Sequence, residues 1–569
     1  MVAEELRLMG RAVSFGHAVG PAFILKKNVA TVPEFTISKE QIPQEWSRFE
    51  NACKIAEQQL LTCKTFVENG SKVKRGEVFD IQIALLKDSY ILQELKRTLQ
   101  VTLKNIEACW TIVIKKCMKV FCEREALPAL KNDGDLQDIC QRLLCILTGE
   151  DVCKKLTHKK GCICVTKNLE PSDVITLKNA DISGIVLEND CVTSHAIILA
   201  KSLRIPILTG VKDACIRIKD NAVVEIDSEM GACWVNKKNI STTGIHTLTL
   251  PDSFSLSGQN VHFYLAYDGC HLPLLQKSTI DGIGLVRTEL LFFNRETLPD
   301  EEEQFLFYKD IVTSAHGKPV TLRTLDIGGD KLPNGQCSQE LNPFLGLRGI
   351  RYCLKHETIF RQQLLAMLRA SAFGCVRILY PMISDIQELV HANQILEECK
   401  HTLANKQIAF CPTIQIGAML ETPSAVLCMN DLAAYCDFFS IGTNDLIQYI
   451  LAVDRTNPVV ANLYQITHPS IFRCLHFIAQ QANQQGKEVL VCGELPNGVV
   501  PFLMCLGLGF RSFVAYENHI PYLAHLCNKI DRTALETLTT QALNITSSGA
   551  IFSIFEKYYK KILNEIKNF

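Results

Sequence analysis

Several features that mark common protein classes are absent from this sequence of 569 residues. The formal net charge is only −1, so no strong field of one sign favours binding to nucleic acid or to an anionic membrane. The apolar run from Leu495 to Phe510 is too short to span a bilayer and is interrupted by proline and glycine. The segment from Met1 to Leu8 contains two glutamates before any apolar run, which is not the pattern of a signal peptide.

The cysteines also lack a recognisable pattern. There are 25 of them, an odd number, they are scattered, and no Cys-x-x-Cys pair occurs. This excludes a zinc ribbon and gives no support for a disulfide framework. We therefore interpret the cysteines as small buried hydrophobic residues in a reducing compartment, and we expect a cytoplasmic protein.

The residue pattern changes several times along the chain. Residues 7–26 predict a strand, a turn and a second strand, and helical spacing from about Ile37 to Leu147 predicts about four helices. One of these helical patterns is marked by Phe79, Ile83, Leu86 and Ile91. Short β-runs follow at Cys162–Thr166, Gly184–Leu187, Pro206–Leu208 and Ala222–Ile226. The polar residues 236–258 are typical of a linker.

Eight apolar runs alternate with helical segments in the last part of the chain. Their positions are Val261–Ala266, Ile283–Val286, Val320–Leu325, Val376–Tyr380, Thr413–Ile416, Phe438–Ile441, Val489–Cys492 and Ser512–Val514. Eight such strands, each followed by helix, predict a closed (β/α)₈ barrel. Active sites of this fold lie at the C-terminal ends of the strands.

Charged and polar side chains collect at these predicted strand ends. They are Arg287, Arg323, Arg348, Glu421, Asn444, Asp445, Arg455 and Cys492. Several arginines favour a small polyanion with planar oxygens, such as a phosphate together with a carboxylate, bound through bidentate contacts. Glu421 and Asp445 are oxygen ligands suited to Mg²⁺ or Mn²⁺. Cys492 is a plausible proton donor, although a buried core cysteine is the alternative.

A second candidate site lies at Thr193-Ser194-His195, after the predicted strand Gly184–Glu188. A helix is predicted to begin there and to end near Leu203, before Pro206. A helix N-terminus favours an anion, so a phosphorylated His195 would be stabilised, and Lys201 on the same helix adds positive charge. The alternative interpretation is a histidine that merely caps the helix.

Motifs in both regions resemble those of one known family. Around His195 the family pattern is Gly-Gly-x-Thr-Ser-His-x-x-Ile-x-Ala-Arg. The barrel region contains Gly-x-Gly-Leu-x-Arg-Thr-Glu, Arg-Thr-x-Asp-Ile-Gly-Gly-Asp-Lys, Asn-Pro-x-Leu-Gly-x-Arg, Glu-Thr-Pro, Ser-Ile-Gly-Thr-Asn-Asp-Leu-x-Gln-Tyr, Ala-Val-Asp-Arg and Cys-Gly-Glu. On these motifs nearly the whole chain resembles the Enzyme I family of the phosphotransferase system, a branch of the phosphoenolpyruvate-utilising enzymes.

The resemblance implies an α/β multidomain fold. Its parts are an α/β phosphohistidine (swivel) domain at 1–30 plus 148–235, an inserted helical bundle at 31–147 that binds the phosphocarrier protein HPr, a linker at 236–258, and a C-terminal TIM-type barrel at 259–569. The barrel would bind phosphoenolpyruvate and form a homodimer.

The resemblance also implies a role for each candidate residue. Arg287, Arg323 and Arg455 would hold phosphoenolpyruvate together with Asn444 and Asp445, and Arg348 would support the phosphate. Mg²⁺ would be bound by Glu421 and Asp445. His195 would accept the phosphoryl group and pass it to HPr. Cys492 would protonate the enolate to give pyruvate.

The chain departs from the family pattern at several positions. Asp190 and Cys191 replace two glycines, Lys201 replaces arginine, Val174 replaces threonine, and Gln82 and Gln137 replace a frequent histidine and arginine. Pro496-Asn497-Gly498 replaces Ala-Gly-Asp, and Val514-Ala515-Tyr516 replaces Ser-Met-Ser. Because of these departures, a catalytically weakened regulatory protein that binds phosphoenolpyruvate is the alternative function. Related dikinases and synthases need a nucleotide-binding domain, and we find no Gly-rich nucleotide loop in the sequence.

Overall fold

The computed structural model of the chain describes most, but not all, of its residues. These are residues 5–14, 17–25, 33–69, 77–123, 133–149, 160–169, 171–189, 196–197, 200, 205–227, 231–236, 251, 254–256, 258–267, 269, 275, 279–292, 297–328, 340, 342–455, 457, 459–460, 463–517 and 519–567. The chain divides into two units, Met1–His246 and Thr247–Phe569, and each has its own hydrophobic core.

The first unit contains a mixed eight-stranded sheet with the order β1-β8-β7-β3-β4-β5-β6-β2. Its strands are β1 (Leu6–Met9), β2 (Arg11–Ser14), β3 (His17–Ile24), β4 (Ile163–Thr166), β5 (Gly184–Leu187), β6 (Ile207–Thr209), β7 (Val223–Asp227) and β8 (Ala232–Val235). The four β-runs predicted between 162 and 226 are confirmed as β4 to β7. Strand β8 was not predicted; it follows Gly231, whose φ of +58° helps the chain return onto β7.

A helical segment is inserted between two neighbouring strands of this sheet. Ala22 of β3 pairs in parallel with Ile163 of β4, although the helices lie between them in sequence. The described helices of the insertion are Ile42–Asn69, Glu77–Leu86, Ser89–Thr102, Ile106–Glu123 and Asp133–Thr148. Phe49 packs on Trp110 in their core, with ring centroids 5.3 Å apart. Two further helices of this unit are Pro171–Asn179 and Ala214–Arg217.

The prediction of about four helices was therefore too low for the described part of the insertion. The apolar residues from Phe79 to Ile91 belong to two helices and not to one. The side chain of Asp88 accepts a hydrogen bond from the backbone N–H of Ile91 at 2.9 Å and caps the second helix. A run of apolar residues at helical spacing does not show this break, because the period continues across it.

The second unit is a closed barrel of eight parallel strands in sequence order, which confirms the predicted TIM-type architecture. The strands are β11 (His262–Tyr267), β12 (Gly282–Arg287), β13 (Val320–Arg323), β14 (Val376–Tyr380), β15 (Gln415–Leu420), β16 (Phe438–Gly442), β17 (Glu488–Cys492) and β18 (Ser512–Ala515). They follow a short hairpin of β9 (Ser255–Leu256) and β10 (Gln259–Asn260). The described helices are Glu301–Ser314, Ile350–Lys355, Glu357–Ala370, Ile386–Asn405, Pro423–Leu427, Met429–Leu432, Thr443–Leu451, Pro469–Gln485, Val499–Gly507, Ile520–Cys527, Arg532–Ala542 and Ser548–Lys567.

All eight predicted runs are strands, but β15 lies later than the run Thr413–Ile416 that predicted it. The strand continues through Gly417, because pairing with β16 holds Gly417 opposite Phe438. A Cβ atom at Gly417 would come within 2.4 Å of the Phe438 ring, so glycine allows this close approach.

Two findings concern the membrane span and the disulfide framework that the sequence analysis did not support. Among the described residues, no helix is both long and apolar enough to cross a membrane. Every cysteine whose side chain the structure describes is a free thiol, and more than half of these thiols are buried.

Three phenylalanines join the barrel to an outer helix. Phe502 of the helix Val499–Gly507 is fully buried against Phe263 of β11 and Phe513 of β18, with ring centroids 5.9 and 4.7 Å away. We expect Phe502→Ala to lower the free energy of unfolding by about 3–5 kcal/mol, because it removes buried area and leaves a cavity. Chemical denaturation monitored by circular dichroism measures this. Leu427→Ala, at an exposed helix position, is the matched control and should change stability by less than about 0.5 kcal/mol.

Candidate active site

One cleft at the C-terminal ends of the barrel strands contains all the barrel residues singled out from the sequence. The predicted residues that line it are Arg287, Arg323, Arg348, Glu421, Asn444, Asp445, Arg455 and Cys492. Residues that lie up to about 200 positions apart in sequence therefore share one surface, because the barrel brings their strand ends together.

The alternation of side chains along each strand aims these groups into the cleft. Leu285, Met419 and Leu490 belong to the hydrophobic cluster inside the barrel. Side chains two positions apart on a strand point to the same face. Arg287, Glu421 and Cys492 follow these three residues by two positions and therefore continue the interior face to the rim.

A chain of ion pairs fixes two of the arginines. Arg323 contacts Glu289 and also Asp326, the latter at 3.1 Å. Arg348 contacts Asp326 at 3.1 Å and Asp445 at 3.3 Å. These side chains are buried, and the neighbouring carboxylates raise the pKa of both guanidinium groups against the opposing effect of burial. Both arginines therefore stay charged and keep one orientation.

The other two arginines differ from this pair. Within the described residues, the guanidinium groups of Arg287 and Arg455 make no ion pair, and both line the cleft. Arg287 ends β12 with an exposed side chain, and Arg455 follows the helix Thr443–Leu451 and is half-buried. These two groups are therefore available to an anionic ligand.

Glu421 is a buried carboxylate at the end of β15. Its Oε1 accepts a hydrogen bond from the backbone N–H of Met382 at 2.5 Å. Burial raises the pKa of this carboxyl above its usual range, and the nearby charges of Asp445 and Asp326 raise it further. Carboxylates that crowd one another in this way are stabilised by a cation.

No group of three or more acidic, histidine or cysteine side chains suited to a metal is found in the described part of the chain. Two carboxylates nevertheless suffice for Mg²⁺, which completes its coordination with ligand oxygens and water.

Cys492 ends β17 with its thiol buried at the edge of the cleft. Burial raises the pKa of the thiol, and this effect outweighs the opposing charge of Arg287. The thiol therefore keeps its proton at neutral pH, which is the state that a proton donor requires.

Several supporting residues were not assigned a role from the sequence. Glu289 and Asp326 lie within the motifs quoted above, and their function as partners of Arg323 is clear only in three dimensions. A second layer holds the backbone beneath them: Thr288 Oγ1 donates to the carbonyl oxygen of Arg323 at 2.7 Å, and Gln363 Nε2 donates to Thr288 Oγ1 at 3.0 Å. No sequence signal identifies Gln363, because it lies within the helix Glu357–Ala370 and not at the end of a barrel strand.

The candidate site in the first unit is only partly described. His195, together with Asp190, Cys191 and Lys201, lies outside the described residues. Val174 is fully buried in the helix Pro171–Asn179.

Gln82 lies inside the helical insertion and donates to Asp138 Oδ2 at 3.0 Å, with both side chains buried. The amide that replaces a frequent family histidine at this position is therefore used within the bundle. The side chain of Gln137 lies outside the described residues.

The sequence is similar to known proteins along nearly its whole length. Three family models match the chain: "PEP-utilising enzyme, N-terminal" at 9–127, "PEP-utilising enzyme, mobile domain" at 158–231, and "PEP-utilising enzyme, PEP-binding domain" at 273–532. A phosphoenolpyruvate-protein phosphotransferase of Mycoplasma pneumoniae is 32% identical over 98% of this chain and 99% of its own length. The chain belongs to the phosphoenolpyruvate–protein phosphotransferase family.

A second curated relative agrees with this family. A Listeria innocua protein of the same name is 31% identical over 98% of this chain and 100% of its own length. The match to an NMR solution structure of an Enzyme I protein, nEIt, covers 41% of this chain and 94% of that one, with 24% identity and a TM-score of 0.35. The family resemblance read from the motifs is thereby confirmed. The match to the PEP-binding domain includes every residue that lines the cleft, and the match to the mobile domain includes His195.

Asp326 connects the two fixed arginines and provides a test of the ion-pair chain. We expect Asp326→Asn to weaken binding of phosphoenolpyruvate about tenfold or more, because Arg323 and Arg348 lose a shared charged partner and change orientation. Isothermal titration calorimetry measures the affinity. The matched control is Asp437→Asn, since Asp437 accepts from the backbone N–H of Ile416 at 2.8 Å near the start of β16, away from the strand C-termini. Equal affinities for Asp326→Asn and the unsubstituted protein would contradict the role given to Asp326.

Proposed function

We propose that this chain transfers the phosphoryl group of phosphoenolpyruvate to His195 and then to a histidine of HPr, with release of pyruvate, as the first step of a phosphotransferase system. The observation that carries the proposal is the cleft, which joins four arginines to four carboxylates at the rim of the barrel. The relatives named phosphoenolpyruvate-protein phosphotransferase support the same reaction.

Phosphoenolpyruvate carries a phosphate and a carboxylate on the same carbon of a short planar skeleton. Arg287 and Arg455, which make no ion pair within the described residues, would bind these two groups. Arg323 would hold the phosphate from its fixed position, supported by Arg348, and Asn444 would donate a further hydrogen bond. Bidentate contacts of this kind orient planar oxygens better than a lysine would.

Glu421 and Asp445 would hold Mg²⁺, with Mn²⁺ as the close alternative. The charges of the cleft fit this assignment, because its four carboxylates offset its four arginines and leave little positive charge for a ligand with several negative charges. A cation held by these two carboxylates would supply positive charge for the phosphoryl oxygens during transfer.

The chain's own groups would then complete two chemical steps. A neutral imidazole nitrogen of His195 attacks phosphorus in line, a P–N bond forms, and the bond between phosphorus and the enol oxygen breaks. The arginines stabilise charge on the transferring group and on the enolate. The Cys492 thiol gives its proton to carbon three of the enolate, which yields pyruvate and a thiolate that water reprotonates.

The domain organisation proposed for this cycle follows the family. Residues 1–30 and 148–235 would form the swivel domain that carries His195, and residues 31–147 would form the HPr-binding domain. The sheet that joins β3 to β4 across the inserted helices supports this division. Residues 259–569 would bind phosphoenolpyruvate and form the homodimer.

The phosphohistidine step has a direct test. Incubation with ³²P-labelled phosphoenolpyruvate and Mg²⁺, without acceptor, should place one acid-labile phosphate on His195. EDTA or Arg323→Ala should abolish the label, since each removes positive charge that the transferring phosphoryl group requires. His195→Ala should also abolish it, whereas His316→Ala, at an exposed histidine, should not. Stoichiometric labelling of the His195→Ala protein would overturn the assignment.

A regulatory protein that binds phosphoenolpyruvate remains the second candidate. It is favoured by the replacements Asp190, Cys191 and Val174 in the segment that contains His195, and Val174 offers no polar group to a histidine.

The two functions predict different turnover. A transferase should release pyruvate continuously only when HPr is added, because the phosphohistidine must be emptied before the next cycle. A lactate dehydrogenase-coupled assay measures this release. Binding of phosphoenolpyruvate without any release of pyruvate would favour the regulatory function.

A further inference from the structure

The backbone turn after Cys492 is held at three consecutive residues. Thr443 Oγ1 donates to the carbonyl oxygen of Cys492 at 2.7 Å, and the backbone N–H of Glu494 donates to Asn444 Oδ1 at 3.0 Å. Between them lies Gly493, with φ of +95°, where a Cβ atom would come within 2.2 Å of Thr443 Oγ1. The turn therefore fits closely against the start of the helix Thr443–Leu451.

Asn497 provides the third contact. Its Nδ2 donates to the carbonyl oxygen of Gly493 at 2.9 Å, and its Oδ1 accepts from the backbone N–H of Tyr516 at 3.0 Å. A carbonyl oxygen only accepts and a backbone N–H only donates, so these two partners determine which way the amide points. The side chain is 3% exposed, so both hydrogen bonds are shielded from water.

This amide connects the ends of two neighbouring strands. Gly493 directly follows β17, and Tyr516 directly follows β18. His519 supports the bridge, because its buried ring hydrogen bonds to the backbone of Asn497 and packs edge-on against Tyr516, with centroids 6.0 Å apart. Loss of the Asn497 side chain would leave the carbonyl of Gly493 without this donor and would allow the turn after Cys492 to shift.

We propose that Asn497 is a positioning residue for the Cys492 thiol. It does not line the cleft, and it acts by fixing the peptide that follows the proton donor. The inference rests on the proposed function, in which the thiol protonates carbon three of a planar enolate. The S–H bond breaks, a C–H bond forms on the face of the enolate that the thiol meets, and water reprotonates the thiolate. Asn497 occupies one of the positions where this chain departs from the family pattern. The bridge formed by its amide is therefore a feature of this chain.

The proposal predicts that the two half-reactions separate in variants of Asn497. Asn497→Ala removes both hydrogen bonds. Asn497→Asp keeps the size of the side chain and the acceptor for Tyr516, but it places a carboxylate oxygen against the carbonyl of Gly493. In both variants we expect labelling of His195 by phosphoenolpyruvate to stay within about twofold of the unsubstituted protein. Pyruvate formation at saturating HPr should fall about tenfold to a hundredfold at unchanged KM, because a small misplacement of a reacting group costs that much.

The deciding measurement is the stereochemistry of protonation. Phosphoenolpyruvate with one hydrogen at carbon three replaced by tritium, turned over in deuterium oxide, gives pyruvate with a chiral methyl group. The unsubstituted protein and the control Asn393→Ala should give one configuration. Asn393 makes a similar contact, Nδ2 to the carbonyl oxygen of Tyr435 at 2.9 Å, but does not line the cleft. The Asn497 variants should give a mixture, since the enolate is then protonated by water from either face.

The possible outcomes are distinguishable. A single configuration from Asn497→Asp, with pyruvate formation at the unsubstituted rate, would overturn the role of Asn497 and leave the proposed function intact. An equal loss of His195 labelling and of pyruvate formation would also overturn it, because it would show general damage to the barrel rim. Absence of labelling in the unsubstituted protein would instead contradict the proposed function.

Discussion

The buried chain of charges at the barrel rim is the constraint on which the rest of the site depends. Arg323 and Arg348 are cations removed from bulk water, and an unpaired charge in that position would cost several kcal/mol. Asp326 lies between them, and Glu289 and Asp445 provide the outer partners. The guanidinium groups are therefore ionised and oriented before any ligand arrives. This is electrostatic preorganisation, in which fixed charges stabilise a transition state without rearranging at the moment of reaction.

The same chain of charges explains why Glu421 stands apart from the other carboxylates. Glu289, Asp326 and Asp445 each contact an arginine, whereas Glu421 makes no ion pair with any described residue and accepts only from the backbone of Met382. Burial and neighbouring carboxylates both destabilise the ionised form of such a carboxyl, and a hard cation bound to it offsets this effect. Glu421 is thus the cleft carboxylate whose negative charge is not paired with any described arginine, and a bound cation would balance that charge.

Much of the fold and of the cleft was predictable from the sequence, for a physical reason. Strands of a covered parallel barrel are apolar along most of their length, so each is a short run that ends where polar residues begin, and those ends meet at one rim. The predicted residues from Arg287 to Cys492 line one cleft for this reason. The helix break at Asp88 was not predictable from apolar spacing, because a capping residue interrupts the backbone without changing the period. The burial of Gln82 depends on Asp138, 56 positions away, and no local pattern reveals such a pairing.

Asn497 belongs to the same class of feature. Its partners Gly493 and Tyr516 meet only because the barrel closes and places β17 beside β18. This distinguishes two requirements of the site. The charge of the cleft depends on residue types at strand ends, and those can be read from a motif. The direction of the Cys492 thiol depends on hydrogen bonds between loops that follow different strands. A substitution just after the Cys-Gly-Glu motif can therefore leave the charge of the cleft unchanged. It can still decide from which side a proton reaches carbon three of the enolate.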